Sequence, residues 1–156
     1  METRLSKRLS AVAAYVPKGS RLADVGSDHA YLSLFLVEKG IIHFAVAGEV
    51  VQGPYLSALN NVARAGKEKL IQVRLANGLA AIEARDQIDV ITIAGMGGRL
   101  IADILEADLA KLAGVRRLIL QPNNREDELR IWLQEQGFQI VAENLVTENH
   151  KFYEIL

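Results

Sequence analysis

Two hydrophobic periods alternate along this chain. Short apolar runs rich in Val, Ile and Leu predict strands at Arg21–Val25, Phe44–Glu49, Ile71–Leu75, 88–94, 117–121, 139–144 and 151–156. Between them, apolar residues recur every three to four positions and predict helices near 31–39, 54–65, 79–83, 100–106 and 126–136. Ahead of the first strand, Leu5, Leu9, Val12 and Val16 make one face of an N-terminal amphipathic helix, with Arg4, Lys7 and Arg8 on another, until Pro17-Lys18-Gly19 stops it. Strand–helix alternation implies right-handed crossovers and a mostly parallel sheet. Only Thr147-Glu148-Asn149 separates the last two strands, too short for a helix, so the predicted architecture is an α/β fold whose seven-stranded sheet ends in an antiparallel hairpin.

Composition narrows the class. With 156 residues, half of them hydrophobic, the chain fits one domain spanning 1–156 with a sizeable core. No apolar run reaches the roughly 20 residues of a membrane span, and no secretory leader or cysteine is present, so a cytoplasmic protein without membrane contact is expected. Eighteen basic and nineteen acidic residues, a formal net charge of −1, exclude nucleic-acid binding by bulk charge and leave only local patches. His29, His43 and His150 lack ligand spacing, so no metal is expected.

Candidate chemistry sits at the predicted strand tips. Leu22-Ala23-Asp24-Val25-Gly26-Ser27-Asp28-His29-Ala30-Tyr31-Leu32 runs from a strand through one glycine turn into a helix, a geometry that brings backbone amides to a nucleotide-like ligand. The next strand ends in Glu49, where a carboxylate grips a ribose diol. A dinucleotide fingerprint would place glycine at Asp28 and a small residue at Tyr31. An acid there repels pyrophosphate and suits a cationic ligand, which points to S-adenosylmethionine, with its sulfonium and ammonium, held by Gly26, Ser27, Asp28 and Glu49. The plainer alternatives are a helix cap by Ser27 or Asp28 and a solvated acid at Glu49.

The remaining tips extend the site. Asn77 offers an amide to an adenine edge and Gly78 turns beneath the ring, against a simple Asn-Gly turn. Gly95-Met96-Gly97-Gly98 offers close backbone approach to a ligand, against a tight helix start. Gln121-Pro122-Asn123-Asn124 offers amides to a base edge on a proline-stiffened loop. His29 is a polar contact for the transfer pocket or an N-cap. Asp24, Ser27 and His29 lie too close together in one turn to be a hydrolase triad.

Four motifs in order, Asp24–Leu32, Ala47–Tyr55, Ile93–Gly98 and Leu120–Asn123, together with the segments Leu5–Leu9 and 151–156, make the chain resemble the bacterial tRNA (adenine(22)-N1)-methyltransferases over its whole length. The resemblance implies a Rossmann-like class I S-adenosylmethionine-dependent fold, with Asp24, Gly26, Ser27, Asp28, Glu49, Asn77, Gly78, Gly95 and Met96 toward the cofactor. It also implies methyl transfer to N1 of an adenine in the D-arm region of tRNA. Because N1 lies on the Watson–Crick edge, the base must be unpaired and stacked, for which Tyr31, Tyr55 and Pro122 are candidates beside the polar Asp28, His29, Gln121 and Asn123. Arg4, Lys7 and Arg8 are the expected phosphate contacts. Ser33 departs from the family's usual proline. Family members continue into a C-terminal helical domain with no counterpart in this sequence, so weak tRNA binding is expected of this domain alone. A small-molecule methyltransferase and a non-catalytic cofactor-binding module are the alternatives.

Overall fold

The computed structural model describes residues 3–148 and 151–155. Five strands form a parallel sheet: β1 (Arg21–Val25), β2 (Phe44–Glu49), β3 (Ile71–Leu75), β4 (Val90–Met96) and β5 (Arg117–Pro122), in the order β3-β2-β1-β4-β5. Each central strand is buried almost along its whole length, as expected when helices cover both faces. The period-2 alternation sorts the strand residues into two cores. Leu22, Ala45, Ala47, Val90 and Ile119 face one layer, under helices α1 (Lys7–Ala13), α2 (Tyr31–Glu38) and α3 (Gln52–Arg64). Ala23, Val25, Val46, Ile91, Ile93 and Leu120 face the other, under α4 (Gly98–Glu106) and α5 (Glu126–Glu135). This is a Rossmann-like fold of the S-adenosylmethionine-dependent methyltransferase type. The order in which strands are added reverses between β1 and β4, which run parallel, and this is the switch point at whose carboxyl ends such sheets bind ligands.

Several predicted elements are corrected. The seven-stranded sheet is not formed: β6 (Asn144–Glu148) and β7 (Lys151–Ile155) pair antiparallel as a separate two-stranded sheet. The strand expected over 139–144 is irregular up to Asn144. Glu143 is held by an ion pair with Arg130 on α5, while Ile140 and Val141 line an apolar groove along β5. The segment therefore lies beside β5 and α5 without a backbone ladder, with Val141 largely exposed. The connection expected at Asn149 lies outside the described residues. The helix expected over 79–83 is two 3-10 turns, Gly78–Ala81 and Ala84–Asp86, because Glu83 and Asp86 form a capping box and Arg74 grips Asp86 in a two-pronged ion pair (Nη2 to Oδ1 3.0 Å). α3 begins earlier than predicted, at Gln52. Pro54 sits in its first turn, where a missing amide costs nothing. Among the described residues no helix is long and apolar enough to cross a membrane.

Candidate functional site

The turn after β1 is the centre of the site. Gly26 adopts φ +72°, a conformation that favours glycine, and a Cβ added there would lie 2.3 Å from Met96 Cε, so the end of that flexible side chain would have to move. The Gly26 and Ser27 amides donate to the Gly48 carbonyl at 2.9 and 3.0 Å, binding the turn to β2. Asp28, His29 and Ala30 then all take positive φ, 47°, 68° and 64°. Such conformations cost non-glycine residues about 1–3 kcal/mol each and cluster at ligand sites. What holds them is α3: Ser57 Oγ lies 2.6 Å from His29 Nδ1, and Asn61 Nδ2 donates to the His29 carbonyl at 3.0 Å. Neither Ser27 nor Asp28 caps α2, whose N-cap is Ala30 with no side-chain hydrogen bond. The helix-cap alternative for these residues is thereby removed.

The strained turn aims amides at an acid. The backbone N–H groups of His29 and Asp28 interact with the Glu49 carboxylate, a nest-like arrangement that offsets the cost of burying it. Burial still dominates and raises the Glu49 pKa. Glu49 is 6% exposed, and its Oε2 has no hydrogen-bond partner. A solvated acid is therefore not what stands at the tip of β2. The Ser27 hydroxyl is likewise buried and unpartnered. Buried polar atoms are nearly always paired, and two of the four such orphans among the described residues flank this one turn, the others being Ser33 and Trp132. Their free hydrogen-bonding capacity matches the hydroxyl groups of a ribose and the polar end of an amino acid.

Beneath the turn lies a second carboxylate. Asp24 pairs in register with Thr92 of β4, whose Oγ1 donates to Asp24 Oδ1 at 2.8 Å. Burial, reinforced by the nearby charges of Glu49 and Asp28, pushes the Asp24 pKa up to about 7, against the opposing Thr92 bond and the Arg8 charge. Asp24, Glu49 and the exposed Asp28 thus form a cluster of carboxylates, a potential complementary to a cation. Thr92 escaped the sequence reading; its signal was one hydroxyl within the apolar run Ile91-Thr92-Ile93. Ser57 and Asn61 escaped too, although they sit at i, i+4 on α3 beside the buried Ala58 and Val62.

The β4 and β5 tips behave differently from expectation. Gln121 is fully buried and all its hydrogen-bonding positions are used. Its Oε1 accepts from Arg8 Nη1 (2.7 Å) and the Gly95 amide (2.9 Å), and its Nε2 donates to the Pro122 carbonyl (2.9 Å) and Asn123 Oδ1 (3.2 Å). It therefore braces α1, β4 and β5, and reading a base edge would cost those bonds. Arg8 likewise points into this brace, away from the phosphate role expected beside Arg4 and Lys7. Pro122 is buried at the end of β5, in register with Met96. Gly98 is required by protein packing: a Cβ there would lie 2.2 Å from the Arg125 carbonyl, so the tight helix start applies. Gly95 forms the bulge that lets β4 continue to Met96. Asn123 is exposed, with its amide donating to the Met96 carbonyl at 2.7 Å. Asn77 is exposed and makes no cap bond, and Gly78 packs against Ile104 of α4. Tyr31 is 40% exposed, 5.4 Å from the His29 ring, and Tyr55 is half-buried on α3. The structure thus gathers Asp24, Gly26, Ser27, Asp28, His29 and Glu49 around the turn after β1 and the tip of β2.

The family model described as tRNA (adenine(22)-N(1))-methyltransferase, TrmK, matches residues 22–156. The Bacillus subtilis tRNA (adenine(22)-N(1))-methyltransferase is 47% identical over 155 residues, covering 99% of this chain and 65% of its own length. The chain therefore spans a little under two thirds of that relative. A Streptococcus pneumoniae protein crystallised with S-adenosyl-L-methionine superposes with a TM-score of 0.96 at 67% identity, over 97% of this chain and 71% of its own. TrmK of M. capricolum, in complex with S-adenosyl-homocysteine, has a TM-score of 0.87 at 32% identity, over 97% of this chain and 66% of its own.

Proposed function

Because the chain belongs to the tRNA (adenine(22)-N(1))-methyltransferase family, we propose that it transfers a methyl group from S-adenosylmethionine to N1 of the adenine at position 22 of tRNA. The observation that carries this reading is the buried Glu49 with an unpartnered oxygen at the tip of β2, held by amides of a strained glycine turn and joined by the orphaned Ser27 hydroxyl. These residues fit the cofactor: Glu49 accepts from the ribose hydroxyls, and the Gly26–Asp28 turn receives the methionine end. Asp24 and Asp28 supply negative charge opposite the sulfonium and ammonium.

When bound, S-adenosylmethionine supplies an electrophilic methyl group on sulfur. Adenine N1 carries an in-plane lone pair, so accepting that methyl group, with the sulfur leaving as a neutral thioether, would need no prior removal of a proton. Catalysis by this chain is then positioning and electrostatics. Asp28, exposed at the turn, stabilises the positive charge that develops on the ring. The Gln121 brace fixes the Gly95 backbone and the Asn123 side chain at the facing tips, and Tyr31 or Tyr55 stacks on the unpaired base. Incubating the chain with radiolabelled S-adenosylmethionine and total tRNA, then mapping the modified nucleoside, tests the proposal. Label in 1-methyladenosine is expected. Binding of cofactor with no transfer to tRNA would overturn it and favour a non-catalytic module.

A further inference from the structure

Next to the carboxylate cluster runs a groove of opposite charge. Thr3 donates from its amide and hydroxyl to Glu38 at 2.9 and 2.6 Å, occupying both carboxylate oxygens and laying the N-terminal segment along α2. Between that segment, α2 and α3 lies a groove of about 420 Å³ lined by Arg4, Tyr31, Leu34, Asn61 and Arg64, within the size range of ligand pockets. Its walls hold two guanidinium groups and no acid. Arginines elsewhere are engaged: Arg8 with Gln121, Arg74 with Asp86, Arg99 with Asp103 and Arg125 with Glu128. Arg4 and Arg64 are exposed and have no such partner among the described residues. The groove meets the site directly, since Asn61 donates to the His29 carbonyl and Tyr31 adjoins the His29 ring.

We infer that this groove is a subsite for the RNA strand flanking the target base, with Arg4 and Arg64 on phosphates and Tyr31 stacked against a base. The inference rests on the proposed RNA substrate. Charge separation supports it: three carboxylates suit the cationic cofactor, and the adjoining cationic walls suit an anionic strand in a chain whose net charge is −1. A half-exposed aromatic between two unpaired arginines is also the combination that holds single-stranded nucleic acid by stacking and phosphate contact.

The test is equilibrium binding of fluorescent tRNA to the chain across a salt series, for the wild type, R4Q, R64Q, Tyr31→Leu and R85Q. In R85Q the charge removed lies in the 3-10 turn preceding β4, at the other end of the sheet. R4Q and R64Q should each reduce the log–log salt slope by about 0.7, one single-strand phosphate, and Tyr31→Leu should weaken binding roughly five- to hundred-fold. Affinity for S-adenosylmethionine should stay unchanged in all of them, and R85Q should match the wild type. Unchanged slopes in R4Q and R64Q, or an equal change in R85Q, would overturn the subsite. Methyl transfer by the wild type is measured alongside. Its absence with the binding pattern intact would sink the proposed activity while leaving the RNA groove standing.

Discussion

Replacing Asp24 by asparagine should stabilise the cofactor-free chain above neutral pH while impairing it as a cofactor binder. Asp24 is buried, and its pKa rises from 3.8 to about 7, chiefly by desolvation. A folded-state pKa above the unfolded one means that the native state holds the proton more tightly. The penalty is absent below about pH 4, grows between pH 4 and 7, and is complete above pH 7. Three units at about 1.36 kcal/mol each make it on the order of 4 kcal/mol. Asparagine removes the charge, keeps an oxygen for the Thr92 hydroxyl and turns an NH2 toward neighbours that repel the aspartate. Burying that amide imperfectly costs about 1–3 kcal/mol, so a net gain of about 1–3 kcal/mol at pH 8 is expected. Urea unfolding of both proteins from pH 4.5 to 8.5 measures it, and the difference between the two profiles isolates this group from Glu49, which retains its own raised pKa. A difference that stays flat across that range, or an Asp24→Asn chain less stable at pH 8, would refute the reasoning.

Glu49→Ala should weaken S-adenosylmethionine binding by about 1.5–3 kcal/mol in calorimetry while the chain stays folded, because its charge-assisted bonds serve recognition; unchanged affinity would release Glu49 from the site. Gly26→Ala should weaken cofactor binding and lower the melting temperature, since alanine must adopt φ +72° at the turn. Ser57→Ala releases the His29 ring from α3, leaving only the Asn61 bond to the His29 carbonyl, and should show faster amide exchange confined to residues 27–30. Asp28→Ala and Asn123→Ala should lower single-turnover methyl transfer more than substrate affinity, and a loss confined to affinity would make them grips.

The sequence by itself determined the layered α/β plan and the positions of the ligand-bearing tips. Buried parallel strands must be continuously apolar, and a polar residue interrupting such a run, as at Asp24 or Glu49, leaves a visible mark. The glycine turn before α2 was legible for the same reason, as only a few residues tolerate that backbone. Which polar groups were free to meet a ligand was decided by the tertiary structure. Gln121 looked like a base-reading amide until Arg8 and Gly95, both distant in the chain, occupied its oxygen, leaving its NH2 to its neighbours Pro122 and Asn123. Gly98 looked like a ligand contact until the Arg125 carbonyl filled its space. Ser57 and Asn61 were ordinary helix-surface residues until α3 was laid across the strained turn. Hydrogen-bond saturation and close approach depend on groups distant in sequence, whereas hydrophobic period and backbone permissiveness are properties of the local chain.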